Sequence, residues 1–150
     1  MVLHLGISAS PAPGHTSAIL NELPERHEFW TASSSNPREN IEQAVRVLGG
    51  RLTSGEPGEL VAEFGSRVGF RLLGGYIGNA RRRYPIRMSV RIEIRTDGTR
   101  QASVTMKSNE GWYLVRLPMA VRLFDDRSDE ILHALRSATE AAGGGRRTFR

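Results

Sequence analysis

Apolar residues alternate with polar residues along most of the chain between residues 60 and 107. The alternating apolar positions are Leu60, Ala62 and Phe64, then Val68, Phe70 and Leu72, then Ile86, Met88, Val90, Ile92 and Ile94, then Ala102, Val104 and Met106. Because successive side chains of a β-strand point to opposite faces of a sheet, this period of two indicates strands with one buried face. The chain is therefore predicted to form a sheet with one apolar and one polar side.

Turn signals separate the predicted strands and join them as antiparallel neighbours. Asp97 and Gly98 lie between two alternating runs, which is a strong hairpin signal. Residues 55–58 read Gly-Glu-Pro-Gly, which favours a second turn. The predicted strands are residues 27–33, 51–54, 59–64, 67–73, 86–95 and 101–108. In the first of them, Phe29 is predicted to face inward.

Two amphipathic helices flank the central strands. The first is predicted at 36–48, because Asn36 is a favoured N-cap residue and Pro37 suits the first helical position. The second is predicted at 118–142, and its apolar stripe consists of Val121, Phe124, Ile131, Leu135 and Ala138. Both helices need an apolar surface to cover. We therefore predict an α+β fold, in which an antiparallel sheet of about six strands has one face covered by a short N-terminal helix and a long C-terminal helix.

The 150 residues suit a single domain, predicted at 26–142. It follows a weakly ordered N-terminal segment, 1–25, and precedes a flexible basic tail, 143–150. The chain has no cysteine, which excludes disulfides, thiolate metal sites and cysteine nucleophiles. No apolar stretch is long enough to span a membrane, and no basic segment opens a secretory signal. These features predict a cytoplasmic protein.

The sequence offers no set of residues with the spacing of a catalytic site. The four histidines form no metal-ligand pair, and Ser66 is displaced from the Gly-x-Ser-x-Gly pattern of a nucleophile elbow. The glycines at 74–78 are not followed by the Lys-Ser or Lys-Thr pair of a phosphate-binding loop. We therefore predict no catalytic residue, no metal site and no cofactor, and an enzyme ranks below the two binding functions described next.

An acidic cluster lies on the C-terminal helix. It consists of Asp125, Asp126, Asp129 and Glu130. Pairs of carboxylates one helical turn apart can bind a hard cation or share a proton. Arg122 and Arg127 lie among these carboxylates, however, and the cluster falls outside the apolar stripe. We interpret it as a charged, solvent-facing side of the helix.

The polar face of the predicted sheet is rich in basic residues, and the net charge of the chain is +5. The predicted partner-binding residues are Arg67, Arg71, Arg87, Arg91, Arg95 and Lys107 on the strands, with Arg81, Arg82 and Arg83 in a connecting loop. Such a surface suits an acidic protein, a nucleic acid, an anionic membrane surface or a second copy of the chain. No aromatic residue interrupts it, which disfavours sequence-specific RNA binding. The leading hypothesis is a non-enzymatic module that binds an acidic partner through this face.

Aromatic residues are distributed over the apolar side of the predicted elements. A ligand cavity between the sheet and the long helix would be lined by Phe29, Phe64, Phe70, Trp112 and Phe124. The same side chains suit a filled hydrophobic core, which is the favoured interpretation. The cavity alternative predicts a small apolar ligand.

The order of the elements resembles the helix-grip arrangement of START and Bet v1-like proteins. The resemblance is carried by the strand at Phe29, the helix at 36–48, the antiparallel strands and the helix at 118–142. In that superfamily a curved antiparallel sheet wraps a long C-terminal helix, often around an apolar cavity. The resemblance implies a carrier of a small apolar ligand as the alternative function, and it assigns no residue a role. The chain departs from the pattern, since one helix follows the first strand where that superfamily typically has two.

Overall fold

The computed structural model describes residues 23–53, 55–73, 80–110 and 118–140. In chain order the elements are β1 (Glu25–Thr31), α1 (Pro37–Val47), β2 (Arg51–Thr53), β3 (Glu59–Phe64), α2 (Arg67–Leu73), α3 (Ala80–Arg83), β4 (Ile86–Ile94), β5 (Arg100–Ser108) and α4 (Pro118–Glu140). The fold is α+β, as predicted. Residues 1–22 and 143–150 of the predicted terminal segments lie outside the described residues, and Glu25 already belongs to β1.

All described strands pair in one antiparallel sheet, with the order β1-β5-β4-β3-β2. The β4–β5 hairpin pairs over its full length, from Ile86 opposite Ser108 to Ile94 opposite Arg100. Its turn contains Gly98 at φ +80°, and the Asp97 carboxylate accepts a hydrogen bond from the Thr99 amide at 2.9 Å. The first strand of the chain lies beside the last, so β1 and β2 form the two edges of the sheet.

The predicted strand at 67–73 is wrong, because this segment forms the helix α2, and the sheet has five strands rather than about six. Ser66 explains the difference. Its hydroxyl accepts a hydrogen bond from the Gly69 amide at 3.2 Å, and its carbonyl accepts one from the Phe70 amide at 2.9 Å. These are the bonds of a helix N-cap residue. A short apolar run is compatible with both the period of a strand and the period of a helix, and here the N-cap residue favours the helix.

The inner face of the sheet carries the hydrophobic core, and both α1 and α4 pack on it. The fully buried side chains include Ile41, Val45, Phe64, Tyr84, Ile86, Met88, Val90, Val104, Met106, Phe124, Ile131 and Leu135. The two helices also contact each other, since the Asn40 side-chain amide donates to the Ala138 carbonyl at 3.1 Å. The opposite face of the sheet, here called the outer face, is not covered by any described element.

The inward orientation predicted for Phe29 is also wrong. Phe29 lies on the outer face with 71% of its surface exposed, and its neighbour Trp30 is the buried residue of β1. Trp30 pairs opposite the small Ala102, and its indole N–H donates to the Thr139 hydroxyl of α4 at 2.8 Å. Because alternate side chains point to opposite faces, this placement of Trp30 fixes Phe29 outward.

Candidate functional site

The outer face of the sheet is mixed in charge rather than uniformly basic. Each of its central cations lies opposite a glutamate of the next strand: Lys107 opposite Glu25, Arg87 opposite Glu63, and Arg91 opposite Glu59. The Lys107 ammonium lies 3.0 Å from the Glu25 carboxylate, and Arg91 Nη2 lies 2.9 Å from the carboxylate of Glu56. Glutamates of β1, β3 and the turn before β3 therefore neutralise part of the positive charge of the predicted basic face.

Of the remaining predicted residues near the sheet, two lie in a helix and one directly follows β4. Arg67 and Arg71 lie in α2, away from the strands. The Arg67 guanidinium donates from Nε to the Asn109 carbonyl at 2.6 Å and from Nη2 to the Asn109 side chain. Arg95 follows β4 and donates to the Gln101 side-chain oxygen at 2.6 and 3.0 Å. Arg67 and Arg95 are thus engaged within the fold, and the Arg71 side chain lies outside the described part.

Arg81, Arg82 and Arg83 lie in the short helix α3 rather than in the predicted loop, and α3 packs on α4. Between these two helices, the end of α1 and the turn after β3 is a cleft of about 450 Å³. Its lining includes Val47, Ser66, Arg82, Arg83, Arg127 and Glu130. We call it the arginine cleft.

Gly65 allows the turn after β3 to lie close against the end of α3, on the two sides of this cleft. Its φ is +69°, and a side chain at this position would begin 2.4 Å from the Tyr84 carbonyl oxygen and 2.5 Å from that of Arg83. Only glycine tolerates both the backbone conformation and this close approach. The next residue, Ser66, donates its amide to the Arg83 carbonyl at 3.2 Å. The turn after β3 is thereby fixed against the end of α3.

Arg127 is the buried charge of the site, with 2% of its surface exposed. Its Nη2 donates to the Leu48 carbonyl at the end of α1 at 2.9 Å, and its Nη1 lies 2.7 Å from the Glu130 carboxylate. The guanidinium lies over the Phe64 ring, 5.7 Å from its centroid. A cation at a helix C-terminus interacts favourably with the helix dipole. The Nε atom of Arg127 is buried with no hydrogen-bond partner.

Glu130 is the one carboxylate among the lining residues, and two arginines engage it. Besides Arg127, the Nε atom of Arg81 lies 3.5 Å from the same carboxylate. Burial alone would raise the pKa of Glu130, but the hydrogen bond from Arg127 and the charges of Arg127, Arg81 and Arg82 outweigh it. The pKa of Glu130 is therefore held below the ordinary value for glutamate, and the side chain is ionised at neutral pH.

Arg82 and Arg83 form no ion pair with any described residue. Arg83 has a buried Nη1 atom without a hydrogen-bond partner. Arg127 and Arg81 contact the Glu130 carboxylate, the charge of Arg82 also acts on it, and Arg83 lines the same cleft. The arginine cleft therefore carries an excess of positive charge, with Arg127 buried, Arg83 half-buried and Arg82 exposed at its edge.

The placement of Arg127 differs from the interpretation of its segment as solvent-facing. Asp125, Asp126 and Asp129 are exposed as expected, whereas Arg127 is buried. The signal lies in the spacing, since residue 127 is three positions after Phe124 and four before Ile131, both members of the apolar stripe. A charged residue at such a position is easily assigned to the wrong side of a helix.

Three of the five predicted cavity residues lie in or against the same hydrophobic core. Phe64 and Phe124 belong to the filled core, Phe70 packs edge-on against Tyr84 with ring centroids 5.2 Å apart, and Phe29 is exposed. Trp112 lies outside the described residues. A second cleft, of about 580 Å³, instead lies between the start of α1 and the far end of the sheet. Its floor consists of Leu60, Val90, Ile92 and Ile94.

No protein-family model matches the chain, and a search of curated proteins found no match either. Among the described residues, no helix is long and apolar enough to cross a membrane, and no group of three or more acidic or histidine side chains could hold a metal ion. Function is therefore argued from the chemistry of the clefts.

Proposed function

We propose that the protein is a non-enzymatic binding module that engages an acidic partner through the arginine cleft. The observation that carries this proposal is the pair of unpaired arginines, Arg82 and Arg83, beside the buried Arg127. Guanidiniums form strong, often bidentate hydrogen bonds with carboxylates and phosphates. An anionic group bound in the cleft would supply the acceptors that these side chains lack.

The cleft suits this role better than the outer face of the sheet. On that face, neighbouring glutamates already pair with Lys107 and Arg91. Exposed ion pairs contribute little free energy, so an acidic partner would bind there only weakly. In the cleft, Glu130 pairs with Arg81 and Arg127, and Arg82 and Arg83 make no ion pair with a described residue. The proposal thus keeps Arg82 and Arg83 from the predicted basic set and adds Arg127.

Charge reversal in the two places tests this proposal. We expect Arg82→Glu to weaken binding of the protein to immobilised polyglutamate by at least about tenfold at low salt, because it replaces an attractive charge in the cleft by a repulsive one. Arg87→Glu is the matched control, since it makes the same change of net charge on the outer face. Surface plasmon resonance with both variants, after melting curves show that they are folded, would contradict the proposal if Arg87→Glu abolished binding and Arg82→Glu left it intact.

A second candidate function, carriage of a small apolar ligand, is favoured by the cleft at the far end of the sheet. Its floor is apolar, and Ile94 has 74% of its surface exposed there. The volume of about 580 Å³ is in the range of small-molecule sites. The long helix α4 on the inner face of an antiparallel sheet supports the accompanying proposal of a reduced helix-grip fold. The apolar site would lie beside α1, however, and not between the sheet and α4.

The carrier function has its own test. Native mass spectrometry of the purified protein, followed by denaturation, would reveal any apolar molecule that copurifies. We expect Ile94→Glu to abolish its retention, because a carboxylate would then project over the apolar floor. Val68→Glu is the control, since Val68 is similarly exposed but lies on α2. If both variants retained the molecule, its binding site would lie outside this apolar cleft.

A further inference from the structure

We infer that the ligand of the arginine cleft is a small molecule that carries a phosphate monoester, bound as its dianion by Arg82, Arg83 and Ser66. This inference rests on the proposed function, because it concerns the same cleft. It adds the chemical class of the ligand, its charge and the groups that hold it.

The charge of the ligand follows from the two arginines without a carboxylate. The single carboxylate of Glu130 offsets one of the four positive charges of Arg81, Arg82, Arg83 and Arg127, and Arg82 and Arg83 make no ion pair with a described residue. A phosphate monoester carries close to two negative charges at neutral pH, since its second pKa is about 6. A carboxylate or a sulfate ester carries only one. A dianion therefore offsets more of the remaining positive charge of the cleft than a monoanion does.

The hydrogen-bonding groups of the cleft also suit phosphate, which offers only acceptors. The guanidiniums of Arg82 and Arg83 can only donate. The Ser66 hydroxyl already accepts a hydrogen bond from the Gly69 amide, so its own proton is free to be donated. Ser66 is exposed and lies beside Arg83, because its amide donates to the Arg83 carbonyl. Arg82 and Arg83 of α3 and Ser66, the residue before α2, line the same cleft.

The Glu130 carboxylate determines where the phosphate is placed. It would repel an anion, but Arg127 at 2.7 Å and Arg81 at 3.5 Å offset its charge and hold it on the α4 side of the cleft. The phosphate is thus directed toward α3 and the turn after β3. Arg127, which is buried and bonded to the Leu48 carbonyl, would act as a positioning residue for Glu130 and contribute its field.

The size and the wall of the cleft indicate a small ligand with an apolar part. The volume of about 450 Å³ lies within the usual range for small-molecule pockets. The side near the end of α1 is lined by Val47 and Leu48, and Val47 has 80% of its surface exposed. An apolar or aromatic body attached to the phosphate would cover Val47 and remove this surface from water.

Isothermal titration calorimetry of the full chain with phenyl phosphate tests the inference. Phenyl sulfate is the matched monoanionic probe, and polyglutamate reports binding of acidic polymers in general. At pH 7.5 and low salt, we expect phenyl phosphate to bind at least about tenfold more tightly than phenyl sulfate, because the dianion offsets more of the positive charge of the cleft. Arg82→Gln and Ser66→Ala should each weaken the binding of phenyl phosphate, whereas Arg87→Gln should leave its affinity unchanged.

The outcomes separate this inference from the proposed function. Equal affinity for the phosphate and sulfate esters would overturn the dianion assignment, as would loss of phenyl phosphate binding in Arg87→Gln. Binding of polyglutamate that depends on Arg82, without any binding of phenyl phosphate, would overturn the inference and leave the proposed function standing. Failure of all three probes to bind would contradict both.

Discussion

Arg127 links three elements through a single side chain. Its guanidinium bonds the last turn of α1 through the Leu48 carbonyl, lies over the Phe64 ring of β3, and pairs with Glu130 on its own helix. Burying a charge is unfavourable unless it is paired and hydrogen-bonded. Arg127 meets that requirement at both Nη atoms, so we expect it to stabilise the fold as well as the cleft.

Removal of the Arg127 side chain should therefore destabilise the protein. We expect Arg127→Ala to lower the free energy of unfolding by about 3 kcal/mol, because it orphans the Leu48 carbonyl and leaves a void beside Phe64. Arg127→Met fills that void with an apolar stem and should cost less. Urea denaturation of both variants measures the difference. Equal stability of Arg127→Ala and the wild type would show that the buried contacts contribute nothing.

Glu130 should make stability depend on acid pH. Its pKa in the folded protein lies below the ordinary glutamate value, despite burial, because of the hydrogen bond from Arg127 and the charges of Arg127, Arg81 and Arg82. The ionised form thus stabilises the fold above the ordinary pKa of about 4.3, and this contribution is lost as the pH falls through the lower folded-state pKa.

The variant Glu130→Gln isolates this contribution. We expect it to lower the free energy of unfolding by about 1 kcal/mol at pH 7, because it removes a charge-assisted hydrogen bond at a partly exposed site. The difference from the wild type should shrink below pH 4. Denaturation curves at pH 7 and pH 3 measure it. A deficit that stayed constant over this range would mean that the charge of Glu130 is not responsible.

At the scale of elements, the structure distinguishes what local sequence determines from what tertiary contacts decide. The β4–β5 hairpin could be predicted, since Asp97 and Gly98 supply the turn between two long alternating runs. The helix α2 could not be predicted from alternation, because seven residues suit either period and Ser66 provides the cap. The inward residue of β1 was missed because Phe29 and Trp30 are both aromatic. Only the pairing with β5 and the hydrogen bond to Thr139 decide between them.

The candidate site was partly predictable for the same reason. Three adjacent arginines at 81–83 mark a basic segment in any fold, and the structure keeps Arg82 and Arg83 without ion pairs. The outer face was predicted to be basic from the residues of β4 and β5. The opposing glutamates come from β1 and β3, and their register follows from strand order rather than from local pattern.

The turn between β3 and α2 should depend on Gly65. We expect Gly65→Ala to lower the free energy of unfolding by at least about 3 kcal/mol, because it combines a positive φ with a side chain 2.4 Å from a carbonyl oxygen. Gly49 is the matched control, since its φ is +76° but nothing lies within 4 Å of an added side chain.

Gly49→Ala should therefore lower the free energy of unfolding by only about 1 kcal/mol, because it forces alanine into a positive φ without a steric clash. Thermal or urea unfolding of the two variants makes the comparison. Similar losses in both would show that the close approach of Gly65 to the end of α3 does not hold the cleft together. A larger loss at Gly65, together with weaker polyglutamate binding, would link the turn to the site.

For the whole molecule, the distribution of charge matters more than its total. The net charge of +5 would suggest a diffuse basic surface. Instead, Arg91 and Lys107 on the outer face of the sheet pair with glutamates, whereas Arg82 and Arg83 line the arginine cleft without an ion pair to any described residue. Our central claim is that an anionic partner binds at this cleft, on the side of the molecule formed by α3 and α4, and not on the sheet.

The most direct test is a ¹H–¹⁵N correlation NMR titration of the protein with a short polyglutamate peptide at low salt. We expect the largest changes in chemical shift at the amides of Ser66, Arg82, Arg83 and Arg127 and at the Arg127 Nε–H. Residues of β4 and β5 on the outer face should change little. The opposite result would be that the largest changes in chemical shift occur at Arg87, Arg91 and Lys107 while the amides of the cleft do not change. It would contradict binding at the cleft and place the binding site on the sheet.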